Sequence, residues 1–275
     1  MNNFDFPKIN YIEIIEPIGA GGTANVYKGV DLNYGTLVAV KVLSGNLFKH
    51  EKVKAKLIEE ADRYVYLNHK GIVRLKDFII KSDNYYLVME FIEGQNLERY
   101  ISKTTGPIPE QRAIDMMAEI LDAIGFAHEN NVLHLDIKPS NIMISNNGEI
   151  KILDFGISAD IKSDMEGVDL GAPVGTPYYM SPEQIEGKNI DKRSDVYALG
   201  ITLFQMLTGS PPFAGDYTRE ELFKKIKSGK LIRAKEIYPF VSDEVQLVID
   251  KATQVDKINR FQNTSEFLEA LKKIN

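Results

Sequence analysis

The sequence contains no cysteine, which excludes disulfide bonds and thiolate metal sites. This absence fits a reducing compartment such as the cytoplasm, where we expect the protein to be located. No apolar run approaches the roughly 20 residues that a membrane-spanning helix needs. The first five residues, MNNFD, lack the basic and apolar regions of a signal peptide. We therefore expect no membrane span, in either a free-standing protein or an isolated domain.

The charge balance is acidic, since 33 Lys and Arg residues against 39 Asp and Glu residues give a net charge of −6. This balance argues against nucleic-acid binding as the main task. A site for a polyanionic ligand must therefore concentrate positive charge locally or import a metal cation. At 275 residues, 44% of them hydrophobic, the chain can bury a sizeable core as one large domain or two small ones.

Residues 1–92 are dominated by strand patterns. β-Branched and aromatic residues recur at 11–18, 24–30, 36–42, 75–81 and 85–90, with a turn at 33–35 between two of the strands. A helical pattern interrupts them at 50–68, where Leu57, Glu60 and Tyr64 lie near one face. The first part of the chain is thus predicted to be a small sheet domain with one helix.

Residues 93–275 are mostly helical in pattern. The stretch 109–130 is amphipathic, with Pro109 expected in its first turn, and 191–208 is apolar nearly all round, as in a helix buried at the centre of a domain. Further helical patterns cover 219–228, 242–253 and 264–274. The chain is therefore predicted to be α+β, with a small sheet domain, a larger helical one, and a cleft between them with a hinge near 90–96.

The most informative stretch is HLDIKPSN at 134–141, followed by DFG at 154–156. It places a carboxylate (Asp136), a cation (Lys138) and an amide (Asn141) within six residues, and a second carboxylate, Asp154, follows. Carboxylate and amide oxygens suit Mg²⁺, and the whole set suits a magnesium-bound triphosphate. Each piece alone recurs by chance, and a polar loop is the alternative, but their order and spacing favour phosphoryl transfer.

Two upstream features also suit phosphate binding. The glycine-rich stretch IGAGGTANV at 18–26 lies between predicted strands, and glycine lets the backbone approach phosphate oxygens closely. The VAVK stretch at 38–41 puts Lys41 on a strand otherwise suited to burial. Each is weak alone, because the first is also typical of an ordinary hairpin and the second of a solvated edge strand. The Walker pattern GxxxxGK[ST] is absent, which disfavours a P-loop NTPase.

Together these motifs resemble the eukaryotic-type (Hanks-type) protein Ser/Thr kinase catalytic domain over nearly the whole chain, in a style similar to bacterial members. The resemblance implies one kinase domain of bilobal protein-kinase fold, with an ATP-binding N-lobe over 1–92 and a catalytic, substrate-binding C-lobe over 93–275. It implies transfer of the γ-phosphoryl group of ATP, with Mg²⁺ or its substitute Mn²⁺, to Ser or Thr hydroxyls of protein substrates. The oligomeric state is left open.

The same resemblance implies a role for each polar residue. Asp136 accepts or orients the proton of the substrate hydroxyl, and Lys138 lies near the transferring phosphoryl group. Asn141 and Asp154 hold the metal through oxygen. Lys41 contacts the α- and β-phosphates and is held by Glu60 from the following helix.

The resemblance also implies an adenine site. Met89 falls at the gatekeeper position, and backbone groups of Glu90 and Ile92 pair with the adenine edge. Taken singly, the apolar residues are equally typical of ordinary core. The glycine-rich loop contributes Ile18, Gly19, Ala20, Gly21 and Gly22, with Ala24 in place of the third glycine of GxGxxG, and the ring is sandwiched by Val26, Ala39 and Met143.

The stretch GTPYYMSPE at 175–183 resembles the end of a kinase activation segment. Thr176, together with Lys138, favours Ser/Thr over Tyr as the acceptor class. The resemblance further implies a Glu183–Arg260 ion pair and a capping role for Asp195 on the 134–141 loop.

A departure from the family lies at the HRD motif, which reads HLD here. Leu135 cannot grip a phosphate as the usual arginine does, and the segment has no Ser or Thr between Ser163 and Thr176. We therefore expect a kinase that does not depend on activation-segment phosphorylation. The alternative is a neutral change beside some other basic group.

Two other classes of protein share parts of this pattern. A pseudokinase scaffold would bind nucleotide or a partner without turnover, but such proteins usually lose the Lys, Asp or Asn residues that are all present here. A small-molecule kinase of the aminoglycoside phosphotransferase type shares the HxDxxxxN pattern. The activation-segment stretch at 175–183 and the DVYALG helix that follows argue against it.

Overall fold

The computed structural model describes residues 9, 11–20, 24–43, 51–81, 84–155, 177–213 and 215–274. These residues fall into two compact units. The first contains the described residues up to Asn68 together with Val73–Glu93, and the second contains His69–Ile72 and the described residues from Gly94 onward.

In the described part of the first unit, five antiparallel strands form one sheet, with the spatial order first, second, third, fifth and fourth strand along the chain. The predicted turn at 33–35 is confirmed: Gly35 has a positive φ of 65°, and the Asn33 N–H donates to the Asp31 carboxylate at 2.9 Å. The strands are β1 Ile12–Ala20, β2 Ala24–Asp31, β3 Thr36–Leu43, β4 Leu75–Lys81 and β5 Asn84–Glu90.

The two faces of β3 have different surroundings. Val38 and Val40 are fully buried in a core with residues of β1, β5 and the preceding Ile9. Because side chains alternate along a strand, Ala39 and Lys41 lie on the opposite face. The helix α1, Glu51–Val65, packs against β4, and the Tyr64 hydroxyl donates to the Val73 carbonyl at 2.7 Å. The predicted helix is thus confirmed, but it ends three residues early.

The second unit is mainly helical. Its longest helices confirm the predicted patterns: α5 (Lys192–Thr208) is buried from Ser194 onward, α3 (Glu110–Glu129) and α8 (Asp243–Ala252) pack near it, and α9 (Thr264–Lys272) packs on α3. Pro109 lies at the N-cap of α3 and not in its first turn as predicted. The helices are α2 Leu97–Arg99, which continues as a π-helical turn Tyr100–Thr105, α3 Glu110–Glu129, α4 Pro182–Glu186, α5 Lys192–Thr208, α6 Arg219–Ser228, α7 Ala234–Ile237, α8 Asp243–Ala252 and α9 Thr264–Lys272.

The second unit also contains a small antiparallel sheet that the sequence patterns missed. It is formed by β6 Gly94–Asn96, β7 Ile142–Ser145 and β8 Ile150–Ile152. Strands of three or four residues are too short to show a periodicity, and 94–96 was assigned to the hinge. Gly94 is required here, because a Cβ atom at this position would lie 2.0 Å from the Ile144 carbonyl oxygen. The sheet fixes the chain directly after the 134–141 loop and shortly before the 154–156 motif.

The separation of sheet and helices along the chain confirms the α+β prediction. Among the helices of the described residues, none has both the length and the apolar character required to span a bilayer.

The centre of α5 holds a buried hydroxyl without a partner. Tyr197 is fully buried, and its Oη has no hydrogen-bond partner among the described residues. Burial also raises the pKa of this phenol. Because an unpaired buried hydroxyl costs free energy, Tyr197→Phe is expected to stabilise the protein by about 1 kcal/mol in urea unfolding.

The matched control for this change is Tyr179→Phe. The Tyr179 hydroxyl donates to the Gln205 side chain, so its removal is expected to lower the free energy of unfolding. A Tyr197→Phe protein that is less stable than the wild type would contradict this account.

Candidate active site

The 134–141 loop connects α3 to β7 and brings three predicted residues together. Lys138 Nζ donates to both carboxylate oxygens of Asp136, at 2.9 and 2.8 Å. Asn141 Nδ2 donates to the Asp136 carbonyl at 2.8 Å and to its Oδ2 at 3.0 Å. The Asp136 and Lys138 side chains are 39% and 32% exposed, so both can be reached by a ligand.

A short 3₁₀ turn, Pro139–Asn141, gives the loop this shape. Pro139 pre-sets φ for the turn, and the Asn141 N–H donates to the Lys138 carbonyl at 2.9 Å. The turn carries the Asn141 side chain back towards Asp136. A carboxylate, an ammonium group and an amide therefore converge within one loop, as the spacing predicts.

The backbone at Leu135 is strained. Its φ is +60°, a conformation that L residues other than Gly, Asn and Asp rarely adopt. Asp195, in the first turn of α5, accepts from the backbone N–H groups of Leu135 at 2.7 Å and His134 at 2.9 Å. The predicted capping role of Asp195 is therefore confirmed, and a buried helix holds the residue next to Asp136.

Asp195 is itself completely buried, and its surroundings favour the charged form. His128, near the end of α3, lies with Nε2 at 2.8 Å from Asp195 Oδ2, the oxygen that also accepts from the His134 N–H. Burial alone would raise the pKa of Asp195, but the hydrogen bonds from His128 and from the backbone of His134 hold it below its ordinary value. The loop is thus anchored by an ionised carboxylate.

His134 joins the loop to the segment before Asp154. Its Nε2 lies 2.8 Å from the Leu153 carbonyl oxygen, which requires the ring proton on Nε2, and Nδ1 accepts from the Asp136 N–H at 3.2 Å. The ring also packs on Phe155, with centroids 4.8 Å apart. Asp136 and the DFG segment are therefore tied through one imidazole.

Asp154 follows directly on this link. The Leu153 N–H donates to the Asn141 carbonyl at 2.9 Å, so the two predicted metal ligands belong to hydrogen-bonded backbone segments. Asp154 has a φ of +59°, a left-handed conformation that Asp adopts more readily than most residues. Its side chain is partly exposed.

Four predicted residues of the first unit share one face of the five-stranded sheet. Val26 pairs directly with Lys41 across β2 and β3, and Ala39 pairs with Met89 across β3 and β5. Directly paired residues in antiparallel strands point to the same face. Lys41 is only 8% exposed, and Glu60 lies on α1 and is partly buried.

Other predicted residues are placed singly. The Glu90 N–H donates to the Arg74 carbonyl at 3.0 Å, and Ile92 follows β5 in an irregular segment. Met143 lies on β7 opposite Asn96. Ile18, Gly19 and Ala20 end β1 and are exposed, whereas Gly21, Gly22 and Thr176 lie outside the described residues.

The predicted brace between Glu183 and Arg260 is confirmed. The guanidinium donates to the carboxylate through Nη1 and Nη2, at 2.7 and 2.8 Å. Its remaining N–H groups donate to the carbonyls of Arg193, Gln254 and Val255. All five guanidinium N–H groups are therefore used in a side chain that is fully buried.

Sequence reasoning missed two residues that position the 134–141 loop. His128 holds Asp195, and Gln184 donates through Nε2 to the Leu135 carbonyl at 2.9 Å. The S-x-x-Q pattern at 181–184 is typical of a capping box and could have marked Gln184 as part of a helix start. Nothing in that pattern indicates a contact with residue 135.

A family model described as the protein kinase domain matches residues 12–271. The chain belongs to the protein kinase family. Over 94% of its length this kinase-family chain is 38% identical to the serine/threonine-protein kinase PrkC of Bacillus subtilis, and over 93% it is 36% identical to a probable serine/threonine-protein kinase PknB of Lactococcus lactis. These matches cover 39% and 40% of the relatives, so the chain spans about two fifths of their length.

The fold agrees with this assignment. The crystal structure of the PknI kinase domain of Mycobacterium tuberculosis superimposes with a TM-score of 0.78 over 97% of both chains, at 19% sequence identity. At that identity the likeness establishes the protein-kinase fold alone.

Proposed function

We propose that the protein is a Ser/Thr protein kinase that transfers the γ-phosphoryl group of ATP to Ser or Thr hydroxyls of protein substrates. The observation that carries the proposal is the Asp136 carboxylate held between Lys138 and Asn141 in the 134–141 loop. The names of the similar bacterial kinases support Ser/Thr as the acceptor class. No observation favours a pseudokinase scaffold.

In this proposal Asp136 orients the substrate hydroxyl and takes its proton as the new bond forms. Lys138 already lies within hydrogen-bond distance of Asp136, so its ammonium group would meet the negative charge that develops on the transferring phosphoryl group. Thr176 is proposed to lie on the substrate side. The second unit thus carries out catalysis and binds the protein substrate.

The first unit is proposed to bind ATP. Lys41 would contact the α- and β-phosphates and Glu60 would hold Lys41, while Val26, Ala39 and Met89 would meet the adenine from the sheet face that they share with Lys41. Since the Glu90 N–H already donates to Arg74, Glu90 would offer its carbonyl oxygen. The residues proposed to complete the site are Ile92, Met143 and the glycine-rich loop Ile18, Gly19, Ala20, Gly21 and Gly22.

The donor set fits a hard divalent cation, for which Mg²⁺ is the proposed ion and Mn²⁺ its substitute. Asn141 uses its amide nitrogen on Asp136, which leaves Oδ1 as the atom that can ligate a metal. Asp154 would supply a carboxylate oxygen, and such ions are usually bound by one or two carboxylates plus substrate phosphates. When bound, the ion neutralises charge on the phosphates.

The test is incorporation of γ-labelled phosphate from ATP into a generic protein, followed by phosphoamino-acid analysis. Label on Ser or Thr supports the proposal, and label on Tyr alone would contradict the acceptor class. If peptides stay unlabelled while an aminoglycoside is phosphorylated, the protein is a small-molecule kinase. Cell fractionation tests the expected cytoplasmic location, which follows from the need for ATP.

We also propose that activity does not depend on a phosphate in the activation segment. Leu135 is nearly buried and carries no charge, and hydrogen bonds from within the fold hold its backbone. Phosphatase treatment of the purified kinase is therefore expected to leave turnover within about twofold of the mock-treated protein. Mass spectrometry confirms that phosphate has been removed. A large loss of turnover traced to a phosphosite within 158–176 would contradict the proposal.

A further inference from the structure

Leu135 is the strained residue that immediately precedes Asp136, so its conformation determines where the Asp136 carboxylate lies. Both of its backbone polar groups are engaged. The N–H donates to Asp195 at 2.7 Å, and the carbonyl oxygen accepts from Gln184 Nε2 at 2.9 Å. The family resemblance predicts the contact of Asp195 with this backbone, but it does not predict the contact of Gln184.

Gln184 is the third residue of α4 and completes a capping box with Ser181. Its Oε1 accepts from the Ser181 N–H at 3.0 Å, while the fully buried Ser181 keeps the box in place. The Ser181 N–H needs an acceptor, which is Gln184 Oε1, and the Leu135 carbonyl needs a donor, which is Gln184 Nε2. The amide therefore cannot be rotated to exchange its oxygen and nitrogen without the loss of both hydrogen bonds. One planar group therefore connects the start of α4 to the 134–141 loop.

We propose that Gln184 is a positioning residue for phosphoryl transfer: it holds the Leu135 carbonyl and so fixes the backbone that presents Asp136. This inference rests on the proposed kinase function. It supplies a physical basis for activity without an activation-segment phosphate, because a side-chain amide from the end of that segment holds the loop.

Gln184→Glu separates the two roles of the amide. A carboxylate keeps the acceptor that the cap needs, and Glu is as good as Gln at this position of a capping box. It loses the donor to Leu135 and places an anionic oxygen against a carbonyl oxygen. The matched control is Ser181→Ala, which weakens the cap but leaves the Gln184 bond to Leu135 intact.

The expected result for Gln184→Glu is a kcat about tenfold below wild type with the KM for ATP within about twofold, as for loss of one positioning hydrogen bond. Hydrogen exchange of a peptide spanning 134–141 is expected to quicken. Ser181→Ala is expected to change the unfolding midpoint more than kcat. If Gln184 had only a structural role, both variants would be less stable. In that case neither variant would show a lowered kcat at unchanged KM, and hydrogen exchange in the 134–141 peptide would stay at the wild-type rate.

Acidification adds a rescue of the Gln184→Glu variant. Once its introduced carboxyl group is protonated, the side chain regains a donor for the Leu135 carbonyl, so the ratio of variant to wild-type kcat is expected to rise as the pH is lowered from about 8 towards the ordinary pKa of a glutamate, about 4.3. The ionisable groups facing this position are common to both proteins and cancel in the ratio. They are Glu183, which is paired with Arg260, Asp136, which is paired with Lys138, and Asp195, which is paired with His128.

The outcomes are separable. If Gln184→Glu keeps wild-type kcat and wild-type exchange in the 134–141 peptide, the proposal is wrong. If exchange quickens while wild-type protein itself transfers no phosphate, the hold of Gln184 on Leu135 stands and the kinase function fails. If exchange quickens and turnover is unaffected, the link from Leu135 to Asp136 is wrong.

Discussion

Asp136→Asn is expected to bind ATP with Mg²⁺ but to transfer phosphate roughly 10²- to 10⁴-fold more slowly, because an amide cannot take the substrate proton. Asparagine has the same shape and keeps one oxygen for Lys138, which lies 2.8 to 2.9 Å from the carboxylate in the wild type. Single-turnover labelling with γ-labelled ATP gives the rate, and nucleotide titration gives the affinity.

Asp115→Asn is the matched control for this change. Asp115 lies on α3 and accepts from the Gln111 side chain on an exposed face, so the same loss of charge there is expected to leave turnover unchanged. An Asp136→Asn protein that keeps most of its activity would remove Asp136 from catalysis. Loss of both nucleotide binding and folding would instead show that the residue is structural.

Arg260→Met is expected to lower the free energy of unfolding by about 3 to 5 kcal/mol, the usual cost of leaving a buried charge without its partner. The variant removes the guanidinium donors from the Glu183 carboxylate and from three backbone carbonyls. Urea unfolding monitored by circular dichroism measures the loss. Arg233→Met is the control, because Arg233 and Asp250 form an exposed pair at 3.8 Å, and such pairs contribute about 0 to 1 kcal/mol.

The same brace gives stability a defined pH dependence. Burial opposes ionisation of Glu183, but hydrogen bonds from Arg260 and Ser194 outweigh it and lower the pKa of the carboxyl group. A lowered pKa means that this contribution is complete above the ordinary pKa of a glutamate and is lost as the pH falls through the folded-state value. If Arg260→Met unfolds with the wild-type midpoint at neutral pH, the brace is not stabilising.

The short-range part of the site could be predicted because local geometry determines it. Asp136, Lys138 and Asn141 lie within six residues, and a 3₁₀ turn initiated by Pro139 is enough to bring them together. The position of Lys41 on β3 could also be predicted, because the VAVK stretch at 38–41 has the local pattern of a strand. By contrast, the partners Glu183 and Arg260 are 77 residues apart, and only the family resemblance linked them.

The remaining contacts could not be predicted because local chemistry already explains each residue involved. An amide at position 184 is accounted for by the helix cap, so its bond to residue 135, 49 positions away, leaves no trace in the sequence. The strands of β6, β7 and β8 are too short to show alternation. Gly21, Gly22 and Thr176 stay predictions.

The first turn of α5 serves both ends of the second unit. Asp195 binds the 134–141 loop, while the preceding Ser194 donates to Glu183 and the Arg193 carbonyl accepts from Arg260. Residues 260 and 136 are therefore linked through one helix turn. On a ribosome, this brace can close only after residue 260 has emerged, so its contribution to the stability of the second unit comes late in synthesis.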